Sequence, residues 1–279
     1  MKFRVLITFL LLSTQVGFAQ LSEVGVMVGT TYYLGDLNRT HFKNPKFSIG
    51  ILYRRSITDR VAFRLNFLYG NVSGADSDSN DPERVNRNLS FKSSIAELGG
   101  VFEFNYYSYN PGDKKSRFTT YLLIGFSYFR MNPKAQLNST WYELNAIGTE
   151  GQGFPDGPKR YKLDAFAIPI GMGAKVNLGR RIAISIEYSL RFTFTDYLDD
   201  VSDKYYATDA FGFSSDGERT IAGQLSDRRL EPNAPTQDDD GNTLGLQRGN
   251  ASRNDWYGFA GVFLSFRIGK EISTCAKWN

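Results

Sequence analysis

Histidine, the most frequent general base of enzymes, and cysteine, a strong nucleophile, each occur once in this 279-residue sequence. His41 is the single histidine and Cys275 the single cysteine. A serine hydrolase would depend on His41 as its base, but no neighbouring serine and aspartate complete a recognisable triad. With one histidine and one cysteine, the sequence also lacks the ligands of a typical transition-metal site. The acidic run Asp238–Asp240 could supply oxygen ligands to calcium, but it lacks the full spacing of a calcium loop. We therefore predict a protein that is not an enzyme and has no cofactor or metal.

A second set of ionisable residues lies on the polar face of segments with strand-like alternation. They are Arg54, Arg64, Lys175, Arg191 and Arg267, with Glu97, Glu103 and Glu187. Charges enclosed in a narrow barrel must be paired to offset the loss of water, so we predict an interior ion network. Within it, Glu187 and Arg191, four apart on one strand face, are expected to interact. An ion path or a catalytic carboxylate pair is the alternative, although eight strands leave little room for a channel.

Alternating segments would position these charges. Between Ile182 and Thr195 every second residue is apolar, and the residues between them are mostly small or polar. Successive side chains of a strand point to opposite sides, so the segment predicts a strand with one apolar face, long enough to cross a bilayer at a tilt. The same pattern predicts eight strands, near residues 22–33, 46–56, 60–72, 89–108, 118–131, 161–177, 182–196 and 254–268.

The connections between these strands alternate in length. Those at 57–59, 109–117 and 177–181 are short, whereas those at 34–45, 73–88, 132–160 and 197–253 are long and polar. Short periplasmic turns and long extracellular loops are typical of bacterial outer-membrane barrels. We therefore predict an all-β protein, an eight-stranded antiparallel up-and-down transmembrane β-barrel of the OmpA-like kind. It would lie in the outer membrane with both termini in the periplasm.

Alternation alone does not say which face of the barrel is outside. A soluble barrel that encloses a ligand has the same pattern with its apolar face inward. The polar face here is rich in small residues such as Gly50, Gly125 and Ser185, which suit the crowded interior of an eight-stranded barrel. Aromatic residues near strand ends, among them Tyr69 and Trp256, are placed as interfacial girdles. Both features favour the membrane barrel.

The N-terminus predicts export. Residues 1–19 begin with a short basic stretch, continue with an apolar run and end in Gly17 and Ala19, the pattern of a signal peptide cleaved after Ala19. The barrel would then occupy residues 20–268 and a periplasmic tail residues 269–279. The net charge of +4 is scattered along the chain, without the clustered basic stripe that nucleic-acid binding requires.

Cys275 lies in that expected tail. An exported chain meets an oxidising compartment, and an odd cysteine there indicates either an intermolecular disulfide or a free thiol. An internal disulfide is impossible because the chain has 1 cysteine. Both alternatives stay open from the residues alone.

Two short stretches, one ending the first strand and one following the seventh, resemble a known family. Their positions are Tyr33, Leu34, Gly35 and Asp36, and then Asp196, Tyr197, Asp199 and Asp200. They resemble a Bacteroidota outer-membrane barrel family that includes the PorG-like components of the type IX secretion system. The resemblance covers most of the chain in layout, but only these stretches are specific.

This resemblance implies a non-enzymatic role in protein transport. PorG-like barrels are anchoring or scaffold subunits in outer-membrane lipid, and they contact a periplasmic ring of PorK-like lipoproteins and PorN-like proteins. The same apparatus serves gliding motility in some of these bacteria. The resemblance also favours a disulfide between Cys275 and a periplasmic partner, the PorK-like lipoprotein, because the expected tail points towards the ring.

Three other functions stay open. The long loops could act outside the cell as an adhesin or receptor. A lipid-modifying enzyme would depend on His41, so its activity would be lost in His41→Ala. A small channel would give stepwise conductance in planar bilayers.

Overall fold

The computed structural model describes residues 21–155, 157–206, 211–212, 214, 219–230 and 247–268. Their strands are β1 (Ser22–Leu34), β2 (Lys46–Ser56), β3 (Val61–Ala75), β4 (Ser90–Asn105), β5 (Phe118–Leu137), β6 (Thr140–Glu143), β7 (Asp164–Asn177), β8 (Ile182–Thr193) and β9 (Trp256–Ile268). The short helices are a 3₁₀ turn (Asp76–Asp78), α1 (Pro82–Arg87), α2 (Leu144–Ile147) and α3 (Ile221–Ser226).

Eight of these strands close into one antiparallel barrel. Neighbours in the chain pair with each other, and β1 pairs with β9 from Ser22 opposite Ile268 to Leu34 opposite Trp256. The short β6 pairs only with the end of β5. Closure leaves none of the eight long strands as an open edge. The predicted all-β, eight-stranded up-and-down barrel is confirmed.

The two ends of the barrel differ as the connection lengths predicted. Residues 57–60, 106–117 and 178–181 connect strands at one end, which we call the short-turn end. The loops 35–45, 76–89, 138–163 and 194–255 lie at the other, the long-loop end. The first residue of β1 and the last of β9 meet at the short-turn end.

Several strand boundaries differ from the prediction. β5 runs on to Leu137 rather than 131 and turns into β6 through Asn138 and Ser139, both with positive φ (47° and 68°). A two-residue hairpin needs that left-handed backbone, but the sequence lacks the Asn-Gly or Asp-Gly pair that announces it. At the other end of the barrel, β4 stops at Asn105 rather than 108 because the following residues turn across the barrel mouth.

The outer face of the barrel is apolar. Side chains such as Ile51, Leu98 and Ile186 are about 60% exposed, and they alternate along their strands with buried neighbours. A water-soluble protein would not leave such a continuous belt uncovered, whereas a transmembrane barrel presents it to lipid. The predicted outward orientation of the apolar face is therefore confirmed. No helix among the described residues is long and apolar enough to span a membrane.

Large side chains fill the barrel interior, and glycines make room for them. A Cβ atom on Gly173 would lie 2.5 Å from the Tyr121 ring, and one on Gly50 would collide with the Met27 side chain. An apolar layer crosses the interior and consists of Met27, Leu52, Leu68, Phe259 and Phe263. The small residues of the inner face therefore reflect close packing and leave no open lumen at these levels.

Candidate functional site

Buried ion pairs occupy the half of the barrel interior nearer the short-turn end. Glu103 is at their centre, with Arg54 Nε and Arg64 Nη1 each 3.0 Å and Lys175 Nζ 2.7 Å from its carboxylate. Arg54 also pairs with Glu23 at 3.0 Å. All five side chains are at most 2% exposed. Each of these buried charges has an opposite charge within contact distance, as burial requires.

Glu187 continues this network along the barrel axis. Both terminal nitrogens of Arg64 donate to its carboxylate, at 2.7 and 3.0 Å, in the planar two-point geometry that favours arginine. The Tyr121 hydroxyl donates to the same group at 2.9 Å, and Ser189 Oγ donates at 3.2 Å. Three residues from three strands, Arg64, Tyr121 and Ser189, therefore hold one carboxylate in place.

Glu97 forms the next centre towards the long-loop end. Arg191 Nε lies 3.0 Å from its carboxylate, and the Tyr257 hydroxyl donates to it at 2.7 Å. Asn66 Nδ2 donates more weakly at 3.4 Å. Glu97, like Glu103 and Glu187, is paired with a cation and also accepts hydrogen bonds.

Two details of the predicted network differ in the structure. Glu187 and Arg191 do not pair directly: each contacts Ser189, and Arg191 pairs with Glu97 instead. A strand rises ~3.3 Å per residue, so residues four apart are too distant for direct contact. Arg267 is not in the network either, because its Nη1 donates to the carbonyl of Pro111 at the barrel end, at 3.2 Å.

Glu23 is a member of the network that the prediction missed. It lies two residues before Gly25 on the inner face of β1, so the period of the strand contained the signal. Tyr121 and Tyr257 were also missed, because they resemble the apolar residues of the outer face until the structure places them inside.

The second short turn closes the short-turn end. The Tyr109 hydroxyl donates to Asn177 Oδ1 at 2.6 Å, its backbone N–H donates to the Asp59 carbonyl at 2.8 Å, and Lys175 Nζ lies 4.8 Å from the centre of its ring. Tyr109 is buried and covers the ion network from below. The three short turns are therefore joined into one rigid face.

The long-loop end is covered by the packed loops, which we call the loop cap. Its apolar core includes Leu37, Leu89, Leu144, Leu198 and Leu225, which come from all four loops. Tyr161 and Tyr197 stack within it, with ring centres 4.4 Å apart and planes 8° apart. The loops therefore form a second hydrophobic core above the barrel.

The positions that carry the family resemblance meet inside this cap. The Tyr33 hydroxyl lies 2.5 Å from Asp199 Oδ2 and 2.8 Å from Asp255 Oδ1. A phenol has one hydrogen to donate, so the second contact requires a carboxyl group that is itself protonated and donates to the phenol oxygen. Burial raises the pKa of Asp199 to about 8, and it raises the pKa of Asp255 well above its usual value.

Asp196 is a further buried acid of the cap. Neither of its carboxyl oxygens reaches hydrogen-bond geometry with a described residue. Burial raises its pKa to about 8; the nearby Ser202 lowers the pKa, and the surrounding acids Asp199, Asp36 and Glu150 raise it. Asp196 is therefore held in the neutral form at neutral pH.

Asp200, in contrast to Asp196, has hydrogen-bond donors for both of its carboxyl oxygens. The Tyr161 hydroxyl donates to it at 2.6 Å, Thr149 donates to its other oxygen, and Arg248 is 4.0 Å away. Arg248 forms its closer ion pair with Glu150, at 2.8 Å. Burial still raises the pKa of Asp200, to about 7.

The remaining family-motif positions fix the loop after β1. Asp36 Oδ2 accepts a hydrogen bond from the Asn250 backbone N–H at 2.6 Å. A Cβ on Gly35 would run into Asp255 and the Tyr33 hydroxyl, so only glycine fits there. Leu34, the last residue of β1, is buried beside them. The resemblance pointed to these residues, but the sequence did not indicate that both stretches share one cluster.

His41 has tyrosine partners and no catalytic ones. Its Nδ1 lies 3.0 Å from the Tyr32 hydroxyl and 3.1 Å from the Tyr188 hydroxyl, on the outside of the barrel wall. Among the described residues, no group of His, Cys, Asp and Glu side chains is arranged to hold a metal ion. Cys275, the run Asp238–Asp240 and the expected signal peptide lie outside the described residues.

A family model described as a domain of unknown function, DUF6089, matches residues 2–217. No curated protein matches the chain. Among solved structures, it is similar to Neisserial surface protein A, with 8% identity, coverage of 88% of this chain and 97% of that chain, and a TM-score of 0.42.

Two further solved structures are similar at the same level of identity. The attachment invasion locus protein Ail of Yersinia pestis, in complex with the heparin analogue sucrose octasulfate, has 8% identity, coverage of 89% and 99%, and a TM-score of 0.40. The outer membrane protein OprG from Pseudomonas aeruginosa has 8% identity, coverage of 90% and 98%, and a TM-score of 0.36.

Proposed function

The chain belongs to the DUF6089 family, and we propose that it is a non-enzymatic outer-membrane barrel that anchors the type IX protein secretion apparatus. Its short-turn end would face the periplasm and contact the ring formed by PorK-like lipoproteins and PorN-like proteins. The resemblance of residues 33–36 and 196–200 to PorG-like barrels supports the choice of apparatus.

The closed interior is the observation that carries this proposal. Paired charges, an apolar layer and the turn at Tyr109 fill the barrel from the middle to the short-turn end, and the loop cap covers the other end. A barrel filled in this way has no aqueous path for a solute. Its function would then depend on its outer surfaces, which is what an anchoring subunit requires.

The charge of the short-turn end supports a contact surface there. Its three connections carry 6 basic and 2 acidic residues by position: Arg60, Lys114, Lys115, Arg117, Arg180 and Arg181 against Asp59 and Asp113. All six basic side chains are exposed. The hydrogen bonds around Tyr109 hold these turns in one arrangement, so a partner would meet a preformed surface at little cost in conformational entropy.

Affinity purification from native membranes in mild detergent tests the proposal. Wild type is expected to recover periplasmic proteins, among them a lipoprotein. Lys114→Glu/Lys115→Glu, on the short-turn end, is expected to lose them. Lys159→Glu/Lys162→Glu makes the same charge change on the long-loop end and is expected to retain them. The proposal fails if wild type recovers no periplasmic protein.

The orientation can be tested in a Cys275→Ser background. A cysteine at Asp78, on the long-loop end, should react with an impermeant thiol reagent on intact cells. One at Gly179 should react only after the outer membrane is opened, and its site tolerates a side chain because nothing lies within 4 Å of its Cβ position. The reverse pattern would put the basic turns outside the cell and contradict the proposed contact.

A disulfide between Cys275 and the PorK-like lipoprotein belongs to the same proposal. Non-reducing electrophoresis of membranes, with thiols trapped before lysis, should show the chain shifted by the mass of its partner. The shift should vanish on reduction and in Cys275→Ser. Migration only as a monomer would remove the disulfide from the proposal and leave the non-covalent contact to the purification experiment.

A further inference from the structure

A cleft at the long-loop end lies beside the family-motif residues but is not part of the buried acid cluster. It has a volume of about 600 Å³, within the range of ~300–1,000 Å³ that is typical of small-ligand sites. We call it the loop-end cleft. It separates the loop after β1 from the segment before β9, and its lining includes Gly35, Arg39, His41, Arg253 and Trp256.

The walls of the loop-end cleft are fixed by hydrogen bonds. Asn38 Nδ2 donates to the Tyr33 carbonyl at 2.8 Å, and Asp36 Oδ2 accepts from the Asn250 N–H at 2.6 Å, which joins the two walls. On the second wall, Ser252 Oγ contacts Asn250 Oδ1 at 2.6 Å. The cleft is therefore formed before a ligand arrives.

Two arginines, Arg39 and Arg253, give this cleft positive charge. Arg39, His41 and Arg253 are exposed, and the single carboxylate of the lining, Asp36, already accepts the Asn250 N–H. Among the described residues, neither Arg39 nor Arg253 forms an ion pair. Two carboxylates of the next loop pair with other arginines, Asp76 with Arg87 at 2.7 Å and Asp81 with Arg84 at 3.8 Å.

Positively charged side chains that lie close together without acidic partners indicate a site that binds an anion. Arg39 and Arg253 line the same cleft from its two walls. Arginine presents a planar fork of donors that matches the oxygens of a phosphate group. A bound phosphate would give Arg39 and Arg253 the partner that the described residues do not supply.

The far side of the cleft offers an apolar surface. The Trp256 indole is 40% exposed and is held edge-on against Phe192, with ring centres 4.5 Å apart. Fixed aromatic rings next to a few placed polar groups are typical of ligand sites. An indole face can pack against the carbon skeleton of a sugar ring while the charged substituent reaches the arginines.

We propose that the loop-end cleft binds a phosphorylated sugar, with Arg39 and Arg253 holding the phosphate and Trp256 contacting the ring. The cleft lies at the long-loop ends of β1 and β9, where an outward-facing long-loop end would meet the phosphorylated headgroups of the outer leaflet. The same chemistry also occurs in soluble sugar phosphates. This inference does not depend on the proposed role in secretion.

A fluorescence titration tests the site. Trp141→Phe/Trp278→Phe leaves Trp256 as the single tryptophan, and the purified full chain in detergent is titrated with glucose 1-phosphate and with glucose. The phosphorylated sugar is expected to change the Trp256 emission and to bind at least tenfold more tightly than glucose. Equal binding of the two sugars, or no binding of either, overturns the proposal.

Charge variants identify the phosphate ligands. Arg39→Gln/Arg253→Gln is expected to raise the Kd for glucose 1-phosphate at least tenfold. Lys159→Gln/Lys162→Gln, which removes two exposed charges from another loop, should change it less than twofold. Calorimetry on chains with native tryptophans repeats the comparison if the tryptophan variant does not fold. Equal Kd values for the two charge variants overturn the proposal.

Nanodiscs then identify the source of the sugar. Glucose 1-phosphate should bind the chain in phospholipid nanodiscs and should be displaced when the discs contain lipopolysaccharide. Displacement assigns the cleft to the lipopolysaccharide headgroup. Unchanged binding assigns it to a soluble sugar phosphate, and either result is compatible with the proposed chemistry.

Discussion

The barrel interior and the loop cap bury carboxylates in opposite ways. In the interior, Glu103 contacts three cations and Glu187 is held by both terminal nitrogens of Arg64. In the cap, Asp199 and Asp255 share one tyrosine hydroxyl, and Asp196 meets no hydrogen-bond partner among the described residues. The interior therefore pairs its carboxylates with cations, whereas burial raises the pKa of Asp196, Asp199 and Asp255 in the cap and favours their neutral forms.

Buried carboxylates therefore have different roles in the barrel interior and in the loop cap. An interior in which every carboxylate has a cation fills the barrel with compensated charge. A cap in which burial raises the pKa of Asp196 and Asp199 to about 8 makes the long loops sensitive to pH. Predictions on the two regions should therefore have opposite signs for the same chemical change.

The largest expected effect is from Glu103→Gln. The neutral amide leaves Lys175, Arg54 and Arg64 with fewer counter-charges in a buried site, which should lower the free energy of unfolding by ~3–5 kcal/mol. Urea unfolding in detergent, followed by the heat-dependent gel shift of barrels, measures it. Glu143→Gln is the control, because its ion pair with Lys134 is exposed and is worth ~0–1 kcal/mol. Equal losses in both variants would show that the interior is hydrated.

A smaller effect is expected from pH on the cap. An unfolded aspartate ionises near pH ~4, whereas Asp196 and Asp199 in the cap keep their protons until about pH 8. Between these values the unfolded state binds fewer protons, so the free energy of opening the cap falls as pH rises. Hydrogen exchange at Leu198 and Val201, corrected for intrinsic rates, should show protection at least tenfold higher at pH 5 than at pH 8.

The interior supplies the internal control for that experiment. Amides beside Glu103 and Glu187 should keep the same protection from pH 5 to pH 8. A parallel loss of protection in both regions would mean that the whole barrel responds to pH and that the two regions do not differ.

The smallest effect is expected from Asp196→Asn. The amide cannot ionise, so it should remove part of the pH dependence of the cap: Asp196→Asn should be more stabilising at pH 9 than at pH 5, by at least ~1 kcal/mol. The same exchange measurement at the two pH values provides the test. A loss of cap stability at pH 9 would show that Asp196 is charged and paired in the folded protein.

The sequence predicted the barrel because its period follows from one local rule. Every second residue of Ile182–Thr193 faces lipid, so the pattern is visible in any short window. The partners inside the barrel follow no such rule: Arg64 and Glu187 are 123 residues apart, and their contact depends on the register of all the strands between them. The sequence therefore identified most of the charged residues without their pairing.

The cap was less predictable than the barrel. Tyr33 and Asp255 are 222 residues apart, and their loops fold through short helices and irregular backbone that have no period to detect. The resemblance indicated that Tyr33 and Asp199 matter, but only the closed barrel brings the ends of β1, β8 and β9 together. The loop-end cleft depends on the same closure and could not be predicted.

Single-molecule conductance tests the central claim, that the barrel is closed by its own side chains and acts through its surfaces. Wild type inserted into planar bilayers is expected to give no stepwise conductance, because paired charges and an apolar layer fill the interior. Glu103→Gln/Glu187→Gln, which removes carboxylates from the interior network, tests whether that seal depends on the ion pairs. Regular conductance steps in the wild type would contradict the closed interior and favour a channel.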